Sequence, residues 1–101
     1  MPTLNDIARY VRSKNAGPFW VTIDIFCDPD SFDRVVSAPA LQPPAIADLY
    51  AVSANSVQIF PNKTINVLKI SFPRKAIAGS LTDRDAHAGQ YFVPLLSADV
   101  P

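Results

Sequence analysis

The amino-acid sequence predicts an α+β domain, a small and mainly antiparallel sheet with helices packed on one face. Residues 19–26 and 65–72 alternate in the manner of strands. Between them, two stretches opened by proline carry apolar residues at helical spacing. The chain has 101 residues, 49% of them hydrophobic, which suits one modest core and a single domain over 1–101. The order expected along the chain is helix, strand, helix, helix, strand, strand, loop and short strand, which fits a two-layer sandwich.

Thr3 precedes Leu4, Ile7, Ala8 and Val11, an apolar stripe at helical spacing, and Asp6 sits at the capping-box distance from Thr3. Arg9, Arg12 and Lys14 crowd what would be the last turns, where the helix dipole favours cations, and Gly17 and Pro18 would stop the helix. This predicts a first helix to about Lys14. Phe19 to Phe26 then reads as a central strand. Phe19, Val21, Ile23 and Ile25 take one face, and Trp20, Thr22, Asp24 and Phe26 the other.

Asp28-Pro29 is an N-cap followed by a first-position proline, with Phe32, Val35 and Val36 behind it and Pro39 as the stop. Gln42-Pro43-Pro44 opens another helix carrying Ile46, Leu49 and Tyr50. Ser53 to Ser56 reads as a turn, Val57 to Phe60 as a short strand, and Pro61-Asn62-Lys63 as a connection. Ile65 to Phe72 alternates as the second long strand, ended by Pro73. Asp24 and Asn66 are polar positions inside the two long strands, expected to pair across the sheet or to present a polar patch. Residues 79–90, GSLTDRDAHAGQ, show no period and read as a functional-length loop, and Tyr91 to Leu96 as an edge strand or an extended tail.

Formal charge sums to zero, which argues against non-specific nucleic-acid binding, since phosphate neutralisation needs surplus Lys and Arg. Low self-repulsion also permits association. The lone Cys27 cannot form an intrachain disulfide, and with one histidine it cannot build a zinc site; it is expected in the core. MPTLNDIARY lacks a basic segment followed by an apolar stretch, and no apolar run nears the ~20 residues of a membrane helix. A cytoplasmic protein is therefore expected. Phosphate-loop, dinucleotide, nucleophile-elbow and zinc motifs are missing, so no cofactor or metal is expected.

Two stretches carry the candidate chemistry. Arg12, Ser13, Lys14, Asn15 and Gly17 form a compact polar corner before the strand. Glycine admits close backbone approach, successive amides can cradle an anion, and the cations add charge. An anionic small molecule suits it, and a Gly-stopped helix with dipole-matched cations explains the same residues. In the late loop, Gly79, Ser80, Asp83, Asp85 and His87 mark a docking or gating segment, or a solvated one. Asp85 and His87 are the catalytic candidates, because imidazole titrates near neutrality and a carboxylate fixes its tautomer.

RSKNAGPFWVTIDIF, ADLYAVSANSVQIF, NVLKISFPR and GSLTDRDAHAGQYFVPLL together resemble domain-of-unknown-function family 4387 over nearly the whole chain. Members are found beside, or fused to, acyclic-terpene-utilisation (AtuA-like) proteins linked with breakdown of branched acids as coenzyme A esters. Ser13-Lys14-Asn15-Ala16-Gly17 is also similar in placement to a turn of the small ferredoxin-like domain that ends many AtuA-like proteins. The resemblance implies a ferredoxin-like sandwich. It also implies a small subunit or accessory domain of a two-component catabolic enzyme, with an AtuA-like large subunit, acting on an organic acid or acyl-CoA as a hydratase or lyase. A non-catalytic homo-oligomeric module is the alternative, and a stand-alone lyase or isomerase using Asp85 and His87 is a third reading.

Overall fold

The computed structural model describes residues 2–17, 19–74 and 91–101. Its elements in chain order are α1 (Leu4–Ile7), β1 (Tyr10–Asn15), β2 (Trp20–Phe26), α2 (Pro29–Ser37), α3 (Pro43–Tyr50), β3 (Gln58–Asn62) and β4 (Val67–Pro73). Short 3-10 turns cover Pro39–Leu41, Ala54–Ser56 and Val93–Ser97. The four strands form one sheet in the order β1-β2-β4-β3, and every neighbouring pair is antiparallel. The α+β expectation holds, with β2 central as expected.

Strand alternation divides the sheet into two unlike faces. Val11 of β1, Val21, Ile23 and Ile25 of β2, and Leu68, Ile70 and Phe72 of β4 form the first face and are buried. They join Leu4 of α1, Phe32 and Val35 of α2, Leu41 just before α3, Ile46 and Ala47 of α3, and the later Leu95 and Val100 in one apolar cluster. Burial of that surface is the main driving force for the fold. The second face carries Tyr10, Arg12 and Lys14 of β1, Trp20, Thr22, Asp24 and Phe26 of β2, Val67, Lys69 and Ser71 of β4, and Gln58, Phe60 and Asn62 of β3. None of these belongs to the helix-packed cluster. Among the described residues, helices pack on one face only, as expected.

The connectivity is the chain's own. Two hairpins, β1–β2 and β3–β4, sit side by side, and both α2 and α3 fall in the single connection between β2 and β3. A ferredoxin-like split βαβ would place one helix in each of two units.

Several elements depart from expectation. The first helix stops at Ile7, and Tyr10–Asn15, which was expected to finish it, is β1. The Thr3–Asp6 capping box is present: Asp6 Oδ2 accepts from the Thr3 amide and hydroxyl, both at 3.0 Å. The chain then turns extended at Ala8 and pairs with β2, which buries Val11 opposite Ile25. Phe19 lies in the β1–β2 turn, 56% exposed, outside β2. Asn66 and Ile65 lie in the β3–β4 turn, not in β4; Asn66 adopts φ 55, which asparagine tolerates. β3 runs on through Pro61 and Asn62, allowed because β3 is an edge strand. Val93–Ser97 is 3-10, opened by Pro94, in place of the expected strand or tail.

α2 and α3 begin as expected, Asp28 and Gln42 at their N-caps and proline in their first turns. Arg9 also pairs with Asp28 at 3.5 Å, an exposed contact. The two ends of the described chain meet: Leu4 donates to the Ala98 carbonyl at 2.8 Å, and Val100 to that of Pro2 at 2.9 Å. Among the described residues, no helix is long and apolar enough to cross a membrane.

Candidate functional site

The five corner residues do not share one surface. They lie on β1 and its turn, so alternation sends Ser13 and Asn15 toward the helices and Arg12 and Lys14 to the second face. The turn itself closes with the Ala16 amide on the Trp20 carbonyl at 2.9 Å. Gly17 sits at φ +85 with open space around it, a conformation that favours glycine. The corner is therefore a hairpin turn, and no helix C-terminus opposes an anion there.

Ser13 and Asn15 are tied to the chain on either side of residues 75–90. The Ser13 hydroxyl oxygen accepts from the Phe92 amide at 3.1 Å. Asn15 Oδ1 accepts from the Arg74 guanidinium. Arg74, itself buried, lies over the Tyr91 ring at 5.0 Å, and its amide donates to the Phe19 carbonyl at 2.8 Å. Tyr50 stacks on Phe72 at 4.5 Å and donates its hydroxyl to the Tyr91 carbonyl. Arg74 and Tyr91 gave no signal in the sequence, because nothing marks a strand-end arginine as the partner of an asparagine 59 positions away. Gly79, Ser80, Asp83, Asp85 and His87 lie outside the described residues.

On the second face, Asp24 is only 4% exposed although it sits on the uncovered side. Arg12 Nε approaches its Oδ2 at 3.4 Å, a long contact, with the guanidinium 5.2 Å above the Phe26 ring. Asp24 Oδ1 is buried and has no hydrogen-bond partner among the described residues. Its register partner is Lys69 on β4, not Asn66, and no described ion pair joins the two side chains. The Asn66 carbonyl instead accepts from the Cys27 amide at 2.9 Å. Beside this patch, Phe60, Asn62, Lys63, Ile65, Val67 and Lys69 line an open groove of about 560 Å³.

Cys27 is a core residue, as expected. Burial first, and the neighbouring Asp28 carboxylate second, push its thiol up to about 11, so it is a poor nucleophile at neutral pH. Among the described residues, no group of three or more His, Cys, Asp or Glu is placed to hold a metal ion. What the described residues offer is a cationic turn with its chain braced from behind, and a mixed aromatic and charged sheet face.

A family model described as Domain of unknown function (DUF4387) matches residues 4–99. No curated protein and no solved structure matches the chain. The chain belongs to the DUF4387 family.

Proposed function

We propose that this DUF4387 protein is the small subunit or accessory domain of a two-component catabolic enzyme, supplying an anion-holding corner to an AtuA-like large subunit. The substrate class is an organic acid or its coenzyme A thioester, and hydration or dehydration is the reaction of first choice. One observation carries the reading: Arg74 and Phe92 are both bonded to β1, on Asn15 and Ser13, directly before the Lys14–Gly17 turn. Arg74 and Phe92 are thereby held at the end of the sheet that carries the Lys14–Gly17 turn.

In this reading the roles within the corner divide by face. Lys14 supplies the charge, and the Gly17 backbone permits close approach of an anionic group. Ser13 and Asn15 brace the turn from the helix side, and Arg12 stands beside Asp24. Asp85 and His87 are the acid–base candidates.

The test is turnover of branched acyl-CoA substrates by the co-purified pair and by each chain alone. The pair is expected to turn over and the small chain alone to be inert. In the pair, Lys14→Ala is expected to raise KM about tenfold, the worth of one charged hydrogen bond. Full activity of the isolated small chain, or failure of an AtuA-like protein to bind it, would sink the reading.

A further inference from the structure

The geometry points to the second face of the sheet as the interface of a symmetric dimer, a function that does not rest on the two-component reading. Among the described residues no helix covers the face, which holds Tyr10, Phe26 and Phe60, with Tyr10 and Phe60 59% and 50% exposed. It also holds three cations, Arg12, Lys14 and Lys69, against one carboxylate, Asp24. Such a surface would ordinarily repel its own copy. The strand register removes the objection.

Across the sheet, one row reads Arg12, Asp24, Lys69, Phe60, and the next reads Lys14, Thr22, Ser71, Gln58. A third reads Tyr10, Phe26, Val67, Asn62. Two such faces can be stacked about a two-fold axis running along the strands between β2 and β4. Each row then meets its own reversal. Asp24 of one copy faces Lys69 of the other, twice. Arg12 faces the Phe60 ring, a favourable cation–π arrangement, and Lys14 faces the Gln58 amide. Phe26 faces Val67, and Thr22 faces Ser71. No cation meets a cation. A two-fold axis across the strands would instead stack β1 on β1, setting Arg12 and Lys14 against their own copies, so charge selects the first arrangement.

Asp24 supplies the independent observation. Its Oδ1 is buried with no donor among the described residues, a costly state for a carboxylate oxygen. The groups that flank it on the face, Arg12 and Lys69, are exposed side chains on flexible stems, so a small rotation admits an ammonium from the facing copy. Sheets packed face to face cross at about 30° because of their twist, so contacts nearest the axis are best preserved. Those are the Asp24–Lys69, Thr22–Ser71 and Phe26–Val67 pairs; Thr22 and Val67 are already buried in the single chain, so the exposed Lys69 and the half-buried Phe26 and Ser71 carry the contact. The Phe60, Val67 and Lys69 groove lies along the same surface and would be filled by the facing copy's aromatic side chains.

Sedimentation equilibrium of the full chain tests this. A species of twice the 11.0 kDa chain mass is expected. Lys69→Glu, on an exposed residue, should leave the circular dichroism unchanged and raise the dimer dissociation constant at least about a hundredfold, since each dimer loses two charge pairs. Mixing that variant with Asp24→Lys chains, each monomeric alone, should restore a dimer, because both cross-pairs are then of opposite sign. If Asp24→Lys fails to fold, the Lys69→Glu result stands alone. A monomeric wild-type chain overturns the proposal, as does a dimer indifferent to Lys69→Glu. A monomer that binds an AtuA-like protein through Lys69 also overturns it and assigns the face to that partner. Since the corner is untouched by Lys69→Glu, loss of dimer and loss of turnover are separable results.

Discussion

Of the three described residues with left-handed backbone, Ala51, Asn66 and Gly17, the first and last respond to substitution in opposite directions. Ala51 ends α3 at φ 57 and ψ 45, where a Cβ is strained and glycine is the usual choice. Ala51→Gly is expected to raise stability by about 0.5–1 kcal/mol in urea denaturation, relief of strain outweighing the greater freedom of the unfolded chain. Gly17 already has the residue its φ +85 asks for, and no atom within 4 Å would meet an added Cβ. Gly17→Ala should therefore cost about 1 kcal/mol from backbone strain alone. Arg74 and Asn15 form the tie that holds one side of the corner. Either change deletes a part-buried hydrogen bond to a charged group, so Arg74→Met and Asn15→Ala should each cost about 1.5–3 kcal/mol. A double-mutant cycle should show them coupled, with the pair of changes costing less than their sum.

At the scale of elements, the sequence was legible where one physical cause dominated. β2 and β4 were readable because Val21, Ile23, Ile25 and Leu68, Ile70, Phe72 alternate with other residues and pack against helices. α2 and α3 were readable because Asp28-Pro29 and Gln42-Pro43 mark helix starts. β1 was misread because its core-facing positions after Val11 are Ser13 and Asn15, polar residues used to hold Phe92 and Arg74. A strand that uses two of three inward positions for hydrogen bonds shows no apolar alternation, while Leu4, Ile7, Ala8 and Val11 mimic a helical stripe. The same misreading hid the division of the corner residues between two faces. The pairing of Asp24 with Lys69 was hidden too, since register depends on where the β3–β4 turn falls, and Ile65 and Asn66 read as strand.

The whole molecule should lose stability in alkali before it does so in mild acid. Burial holds Cys27 protonated to about 11 against an ordinary value of 9.0, and it raises Tyr50 further still. A buried acid with a raised pKa contributes fully below its unfolded value and loses that contribution as pH rises toward its folded one. The Cys27 contribution to the thermal midpoint should thus hold up to about pH 9 and fall between there and pH 11. Cys27→Ser should flatten part of that fall; an unchanged alkaline slope would contradict burial of the thiol. Asp6 acts at the other end. The Thr3 amide, and then the Thr3 hydroxyl, hold its carboxyl below the usual range. Its contribution is present above pH 3.8 and lost as pH falls below that value.

The bonds from Arg74 and Phe92 to β1 have an entropic corollary. They join positions 59 and 79 residues apart along the sequence. Bringing chain spans of that length together costs entropy before either bond repays it, so both belong to the late, long-range stage of folding.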